Sequence, residues 1–416
     1  MTDPIPTRRD FLFSLGALSA AGLMPHRASA AEGNVPGDDG VMRGLAAAPG
    51  DFAFARGLAY LQTGSLGATP RPVMDRAIAV WKELELNPTL YGYGTLEKAM
   101  DDVRAKAARF IGCKTEELIL TNCTTEGMNW VAQGLALAGG DHVLTTDQEH
   151  PGGRACWDYV VRRQGVVLDI VAIPSGENNA QAIIDRFAKA ITPRTRVLSF
   201  SHLLSSTGLR MPVAELSTLA RARGCLAVVD GAQAVGGVAV DVKALGCHVY
   251  ATSGHKWLLG PPGTGLLYLS EELGKTVDPF ALQGGRLAYS ESSGVCSIPS
   301  VLGLDAAIDY VAAIGIAQVE THNLALGSRL YAALQGMPKV QVVSAAPGPL
   351  ASPNLTYRLP EAIDSNTLHV RLREKHNIQV KVVPTNWLNG QRISTHLFNT
   401  EQEVDRLVDA LKKELV

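Results

Sequence analysis

The chain has 416 residues, of which 46% are hydrophobic and 19% charged, and its net charge is −2. That length can bury a large core and exceeds the usual size of one domain. The near-neutral balance carries no electrostatic footprint for nucleic acid or an anionic membrane, and no apolar run is long enough to span a bilayer.

Arg8 and Arg9 open the N-terminal region, followed by Asp10-Phe11-Leu12 and a mildly apolar stretch over residues 11–24. Ala28-Ser29-Ala30 then offers a small-residue cleavage site. This is the pattern of a signal peptide over residues 1–30, and the adjacent arginines make it twin-arginine type. The expected location is the periplasm, reached in the folded state through the twin-arginine export machinery. Residues 31–50, rich in Gly, Pro and Asp, read as a flexible lead-in. None of the six cysteines forms a CxxC pair, and folding before export argues for reduced, mostly buried thiols.

From residue 51 the pattern becomes an alternation of strands and helices. Seven short apolar runs predict strands over residues 118–121, 142–145, 166–173, 197–201, 226–230, 248–252 and 265–269. Helical stretches such as 180–191 and 213–223 separate several of them. Strands alternating with helices argue for an α/β fold with a mainly parallel sheet covered on both faces. The texture changes near residue 302. One long helical stretch over 302–334 leads to alternating runs near 340–343 and 354–359. The reading is a large domain over 51–301 and a smaller α+β domain over 302–416.

The chemistry-bearing residues mostly follow strand ends, where open α/β sheets bind ligands. Lys256 lies in Ser253-Gly254-His255-Lys256-Trp257, just after an apolar run and before the Gly/Pro-rich loop Gly260-Pro261-Pro262-Gly263-Thr264-Gly265. A buried lysine with a lowered pKa is what a Schiff-base enzyme needs. Asp230 ends the apolar run Ala227-Val228-Val229. A lysine and a carboxylate at two such strand ends suit pyridoxal 5'-phosphate, which needs an amine for its aldehyde and an acid for its ring nitrogen. Thr124-Thr125-Glu126-Gly127 opens a helix after the first strand, and such helix N-termini bind phosphate. The histidines and acids show no HExxH or tight metal-ligand cluster, and there is no GxSxG elbow.

Taken together and in this order, these motifs resemble the class V aminotransferase family, and within it the isopenicillin N epimerase-like branch. The resemblance runs from about Tyr60 to the C-terminus. It implies a PLP-dependent transferase of fold type I with a seven-stranded sheet, assembled as a homodimer. It implies that Lys256 carries the cofactor, that Asp230 partners the pyridine nitrogen, and that Gln233 bonds the cofactor's 3-hydroxyl oxygen. Thr124, Thr125 and Glu126, with Ser253 and His255, match the phosphate cup. His150, in Gln148-Glu149-His150-Pro151, matches the histidine that stacks on the ring. Arg392 matches the arginine for the substrate carboxylate, a task suited to a planar bidentate donor. Tyr93, in Tyr91-Gly92-Tyr93, is an aromatic candidate for the substrate side. Glu126 is awkward beside a dianion, so its side chain is expected to point away.

Three departures stand out. Gln62 and Thr63 replace the branch's Asn and His in an N-terminal segment. Gly294-Val295 stands where the family often has a Gly-Thr pair. The stretch over 382–387 lacks the cysteine that cysteine desulfurases use, which argues against persulfide chemistry. Transamination, epimerisation and elimination or C–S lysis all remain open, in that order of preference. A binding protein that keeps the fold without catalysis is the non-enzyme alternative. Exported members of the branch are linked to tailoring of siderophore peptides such as pyoverdine, which makes an amino acid or peptide-derived metabolite the expected substrate.

Overall fold

This computed structural model describes residues 49–273, 276–285, 292, 294–384 and 387–415. They belong to one compact unit, residues 44–416. The expected signal peptide, nearly all of the lead-in, Ser293, Thr385 and Asn386 lie outside the described residues.

The seven predicted strands form one sheet. In chain order they are β1 (Leu118–Thr121), β2 (His142–Thr146), β3 (Val167–Val171), β4 (Thr195–Ser201), β5 (Leu226–Asp230), β6 (Val249–Ser253) and β7 (Gly265–Leu269). Their spatial order is β1-β7-β6-β5-β4-β2-β3. All pairings are parallel except those of β7, which runs antiparallel to β6 and β1. The central strands are buried on both faces, which is why they read as continuous apolar runs rather than as an alternation. Alternate side chains still separate into two cores. Leu198, Phe200, Val229 and Tyr250 join one cluster, while Val197, Val228 and Val249 join another. Ser199 faces the second core and is satisfied there by the buried Trp157 indole, whose Nε1 donates to Ser199 Oγ at 2.8 Å.

The six strands other than β7 point the same way, so their carboxyl ends share one edge. The helix α1 (Thr124–Gly134) starts just beyond β1, and α2 (Pro151–Gln164) just beyond β2. They pack on each other over the second core.

The C-terminal part builds a four-stranded antiparallel sheet in the order β10-β11-β9-β8. Its members are β8 (Gln341–Val342), β9 (Asn354–Arg358), β10 (Lys381–Val382) and β11 (Gly390–Ser394). A separate apolar cluster underlies it, including Leu330, Tyr357, Leu372 and Leu407. The N-terminal segment is stitched to this part: Ala59–Tyr60 pairs with Ile378–Gln379, and Gln62 bridges Ser394.

The single helix expected over 302–334 is two helices, Ile298–Ile314 and Ile316–Gln335, bent by 76°. Gly315 sits between them at φ 92. The apolar pattern runs through the break, which hid it. A glycine in the left-handed half of φ space interrupts the ladder without disturbing that pattern. No single described helix is long and apolar enough to cross a membrane.

Gly236 shows how tightly the lysine loop is seated. Its φ is 90, and an added Cβ would run into the backbone of Trp257 and Leu258. Gly236→Ala is expected to cost about 2–4 kcal/mol from strain and overpacking. Urea unfolding checks this; an unchanged midpoint would mean that the loop yields freely.

Candidate active site

A cavity of about 510 Å³ opens at the carboxyl edge of the large sheet. Its lining gathers residues that follow β1, β2 and β4, the last residues of β5 and β6, the N-terminal segment and the edge of the small sheet. Of the residues singled out from sequence, Thr124, Thr125, His150, Asp230, Gln233, Ser253, His255, Lys256 and Arg392 all line it.

Lys256 is almost wholly buried, and its amine has no hydrogen bond among the described residues. Burial lowers its pKa below the ordinary lysine value; Asp230 opposes that shift and Arg392 adds to it. The loop around it is fixed through backbone groups instead. Gly254 N donates to Thr264 O at 2.8 Å, and Gly260 N to Gly254 O at 2.8 Å. Gly67 N donates to His255 O at 2.8 Å, and a Cβ on Gly67 would collide with the Lys256 carbonyl.

Asp230 is buried at the end of β5 and accepts the Ala232 N–H at 2.9 Å through Oδ1. Its Oδ2 faces Gly153, where a Cβ would run into it. The carboxylate is thus left room for a ligand atom along the cavity wall. Gln233 lines the same wall, but its amide is largely engaged. Nε2 donates to Gly64 O at 2.8 Å, while Oε1 accepts from Trp257 Nε1 at 3.0 Å and from Asn354 Nδ2 at 3.2 Å. One N–H remains for the cavity.

The helix start at Thr124 meets the lysine loop. Thr124 N donates to Ser253 Oγ at 3.0 Å, and the two hydroxyls are 2.8 Å apart. His255 adds a buried Nδ1 with no partner among the described residues. Burial and the nearby Lys256 lower its pKa. Hydroxyls, helix N–H groups and an imidazole edge together form a phosphate-sized donor set. Glu126 does not join it. Its Oε2 accepts the Asn122 N–H at 2.6 Å, and the residue lines a second recess with Gly294, Val295 and Cys296. Its side chain is therefore turned away from the cavity, as the sequence led one to expect, which leaves only its place at the helix start beside the phosphate donors. A carboxylate beside the helix start is better placed on that N–H than against a dianion.

His150 caps α2 by accepting the Gly152 N–H at 3.0 Å through Nδ1. Burial and Lys256 lower its pKa, so the ring is neutral and carries its proton on Nε2. Arg392 is buried on β11. Nη1 donates to Ser205 O at 2.8 Å and Nη2 to Ser65 Oγ at 3.2 Å, while Nε has no partner among the described residues. Burial pushes its pKa down to about 10. A desolvated guanidinium held only by neutral acceptors is prepared for an anion. Gly64 lies against it, where any Cβ would meet Arg392 Nη2, Gln233 Oε1 and Asn354 Oδ1 within 2.9 Å. Tyr93 is not part of the cavity; it sits exposed at the end of the short helix Pro88–Gly92.

The donors match pyridoxal phosphate point by point: an unpaired buried amine, a carboxylate facing a gap, and an orphaned imidazole nitrogen beside paired hydroxyls. Gly64 and Ser65, from the N-terminal segment that resembles the branch's substrate loop, also line the cavity, whereas sequence reasoning missed Ser205, Ser206 and Lys381. It also passed over Glu149, which stands behind it. Thr146 Oγ1 and Ser201 Oγ each donate to this buried carboxyl at 2.6 Å. The position beside His150 was the available signal.

Burial and the nearby Asp230 push the Glu149 pKa up to about 7. The folded chain therefore holds this proton more tightly than the unfolded chain. Its contribution is present below the unfolded value and is lost as pH rises through about 7. Glu149→Gln, which cannot titrate, should gain stability relative to the wild type between pH 5 and 8, on the order of 3 kcal/mol. Urea unfolding at the two pH values measures it, and a pH-independent difference would contradict it.

Comparison with known proteins agrees with this geometry. The aminotransferase class-V family model matches residues 59–407. An isopenicillin N epimerase of Amycolatopsis lactamdurans is 34% identical over 375 residues, covering 85% of this chain and 94% of that protein. A probable cysteine desulfurase of Methanothermobacter thermautotrophicus is 28% identical over 390 residues, covering 87% and 96%. Among solved structures, the cystine C-S lyase C-DES in complex with its product cysteine persulfide superposes with a TM-score of 0.78 at 22% identity, covering 86% and 98%. The fold is that of PLP-dependent enzymes of fold type I, and the chain belongs to the class V aminotransferase family.

Proposed function

We propose that the protein is a pyridoxal-phosphate-dependent enzyme that acts on the amino group of an amino acid or peptide-derived metabolite, with transamination as the outcome. The observation that carries this is the buried, unpartnered Lys256 amine between Asp230 and Arg392 in one cavity. Bound there, the cofactor supplies an aldehyde for the substrate amine and a cationic ring that draws electrons from Cα.

The residues divide the remaining work. Thr124, Thr125, Ser253 and His255 hold the phosphate through hydroxyl, backbone and imidazole donors. Asp230 keeps a proton on the ring nitrogen. Neutral His150 covers one face of the ring. Arg392 takes the substrate carboxylate and thereby orients Cα toward Lys256. The Lys256 amine, whose charged form burial disfavours, moves the Cα proton. Of the two lining amines, Lys256 stands with Asp230 and is placed for that task, while Lys381 lies beside Arg392 on the small sheet and the two histidines are assigned to ring and phosphate. One mobile base favours proton return on the same face, as transamination requires.

Epimerisation is the second reading, favoured by the identity to isopenicillin N epimerase. C–S lysis is the third. The cysteine desulfurase relative supports it, but the 382–387 stretch carries no cysteine, and the cavity-lining Cys123 sits at the phosphate end. We further propose export to the periplasm, on the strength of Arg8-Arg9 and the segment after them, and a homodimer. For the dimer, Ile78 and Trp81 on the helix Arg71–Leu84, Leu90 on the helix Pro88–Gly92 and Leu86 between them are large apolar side chains left exposed, the kind of residue an interface would cover.

Lys256→Ala is expected to lose the borohydride-sensitive visible band and at least about 1,000-fold in turnover. Asp230→Asn should keep the band but lose about 100-fold or more in kcat. Absorption spectra and steady-state rates with D- and L-amino acids check both. A donor that bleaches the band with release of a keto acid selects transamination; racemised product without keto acid selects epimerisation. A protein that takes up no pyridoxal phosphate would defeat the reading. For the assembly, sedimentation should give a dimer that Leu90→Glu combined with Trp81→Glu shifts toward monomer; a wild-type monomer would remove that proposal.

A further inference from the structure

Arg392 is not the cavity's only cation at its substrate end. Lys381 on β10 pairs directly with Arg392 on β11 in antiparallel register. Directly opposed residues of antiparallel strands project from the same face, with Cβ atoms about 5 Å apart. Both side chains line the cavity.

Neither cation has an acidic partner. No carboxylate lies within ion-pair distance of Lys381 or Arg392 among the described residues, although Lys106, Lys114, Lys243 and Lys375 all have one. Arg392 leans on the Ser205 carbonyl and the Ser65 hydroxyl, both neutral. Lys381 is partly buried, and its amine has no hydrogen bond among the described residues. Two adjacent like charges in a half-closed site repel each other and lose hydration. Such an arrangement is stable when ligand anions occupy it. Among the described residues Asp230 is the one acid in the lining, and its Oδ1 accepts the Ala232 N–H at the end of β5. With Lys256 assigned to the cofactor, the α-carboxylate of a substrate offsets one of the two remaining cations and leaves one.

We propose that Lys381 and Arg392 form a paired anion site that selects amino-acid substrates bearing a second carboxylate. Lys381 is then a specificity-determining residue. The second acid group sits at the β10 edge beside Val383 and Pro384, while Arg392 holds the α-carboxylate. This inference rests on the reading of the cavity as an amino-acid site, but its test needs no turnover.

Succinate and glutarate, compared with butyrate, are titrated calorimetrically into the cofactor-loaded protein and into Lys381→Gln. The expected result is binding of the dicarboxylates about 10- to 100-fold tighter than butyrate, a preference that Lys381→Gln reduces to within about 3-fold. An unchanged cofactor spectrum and melting temperature in the variant exclude misfolding. In kinetics, KM for glutamate should rise in the variant while KM for glutamine stays within about 3-fold. Equal binding of the mono- and dicarboxylates, a preference that survives Lys381→Gln, or no binding of any of these acids would overturn the proposal. A dicarboxylate preference in a protein that turns over no amine would uphold the anion site and count against the proposed reaction alone.

Discussion

Burying a lysine at the end of a strand is costly, and the protein meets that cost without satisfying the ammonium. Every strong contact around Lys256 goes to backbone or to its neighbours. His396 Nε2 donates to Trp257 O at 2.7 Å, and burial pushes the His396 pKa down to about 3, so that this ring stays a neutral fixed donor. Trp257 in turn donates to Gln233. The loop is clamped from the large sheet, the small sheet and the N-terminal segment, while the amine itself is left desolvated and bare. A rigid loop with a free amine is the arrangement in which a lysine becomes a nucleophile and base near neutral pH.

The same clamp reaches the substrate end. Gln233 joins Trp257, Gly64 and Asn354, and Asn354 Oδ1 accepts from Ser394 Oγ at 2.6 Å, two residues from Arg392. Gly64 has no side chain because the space is taken by those very groups. The distance between Lys256 and Arg392 is therefore set by a chain of buried amides rather than by flexible loops. Where reacting groups must meet within a few tenths of an ångström, such second contacts decide the rate as much as the groups themselves.

The large sheet was legible because its strands are short, apolar and separated by helices. The seven predicted runs lie on the seven strands, with ends shifted by at most two residues. Lys256, Asp230 and the Thr124 turn were legible because strand-end position and residue chemistry coincide there. The small sheet gave less. Lys381 and Arg392 sit on strands of two and five residues, too short for a pattern to assign a face. Arg392 was reached through resemblance, and Lys381, outside the quoted motifs, was not. Ser205 contributes a backbone carbonyl, which residue identity does not reveal. Tyr93 was named for its aromatic ring, as a contributor within the chain or across a dimer; in the single chain it sits at the exposed end of Pro88–Gly92, outside the cavity lining.

Glu149 and Asp230 show how the fold distributes charge along the cavity. Ser201, which donates to Glu149, pairs in register with Asp230 on the adjacent strand, so the two acids stand close together. Two buried carboxylates at that spacing disfavour double ionisation. Their surroundings separate them. Glu149 is enclosed among hydroxyl groups and holds its proton up to about pH 7. Asp230 accepts a backbone N–H and stands near Lys256, on the wall where a ring nitrogen would need an acid. At the opposite end Lys381 and Arg392 leave positive charge unmatched. The cavity lining thus has an acid at Asp230 on one wall and the cations Lys381 and Arg392 on the small-sheet side. That arrangement favours a ligand whose cationic part lies at Asp230 and whose anionic groups lie toward the small sheet, and it does so through fixed backbone placement before any ligand arrives.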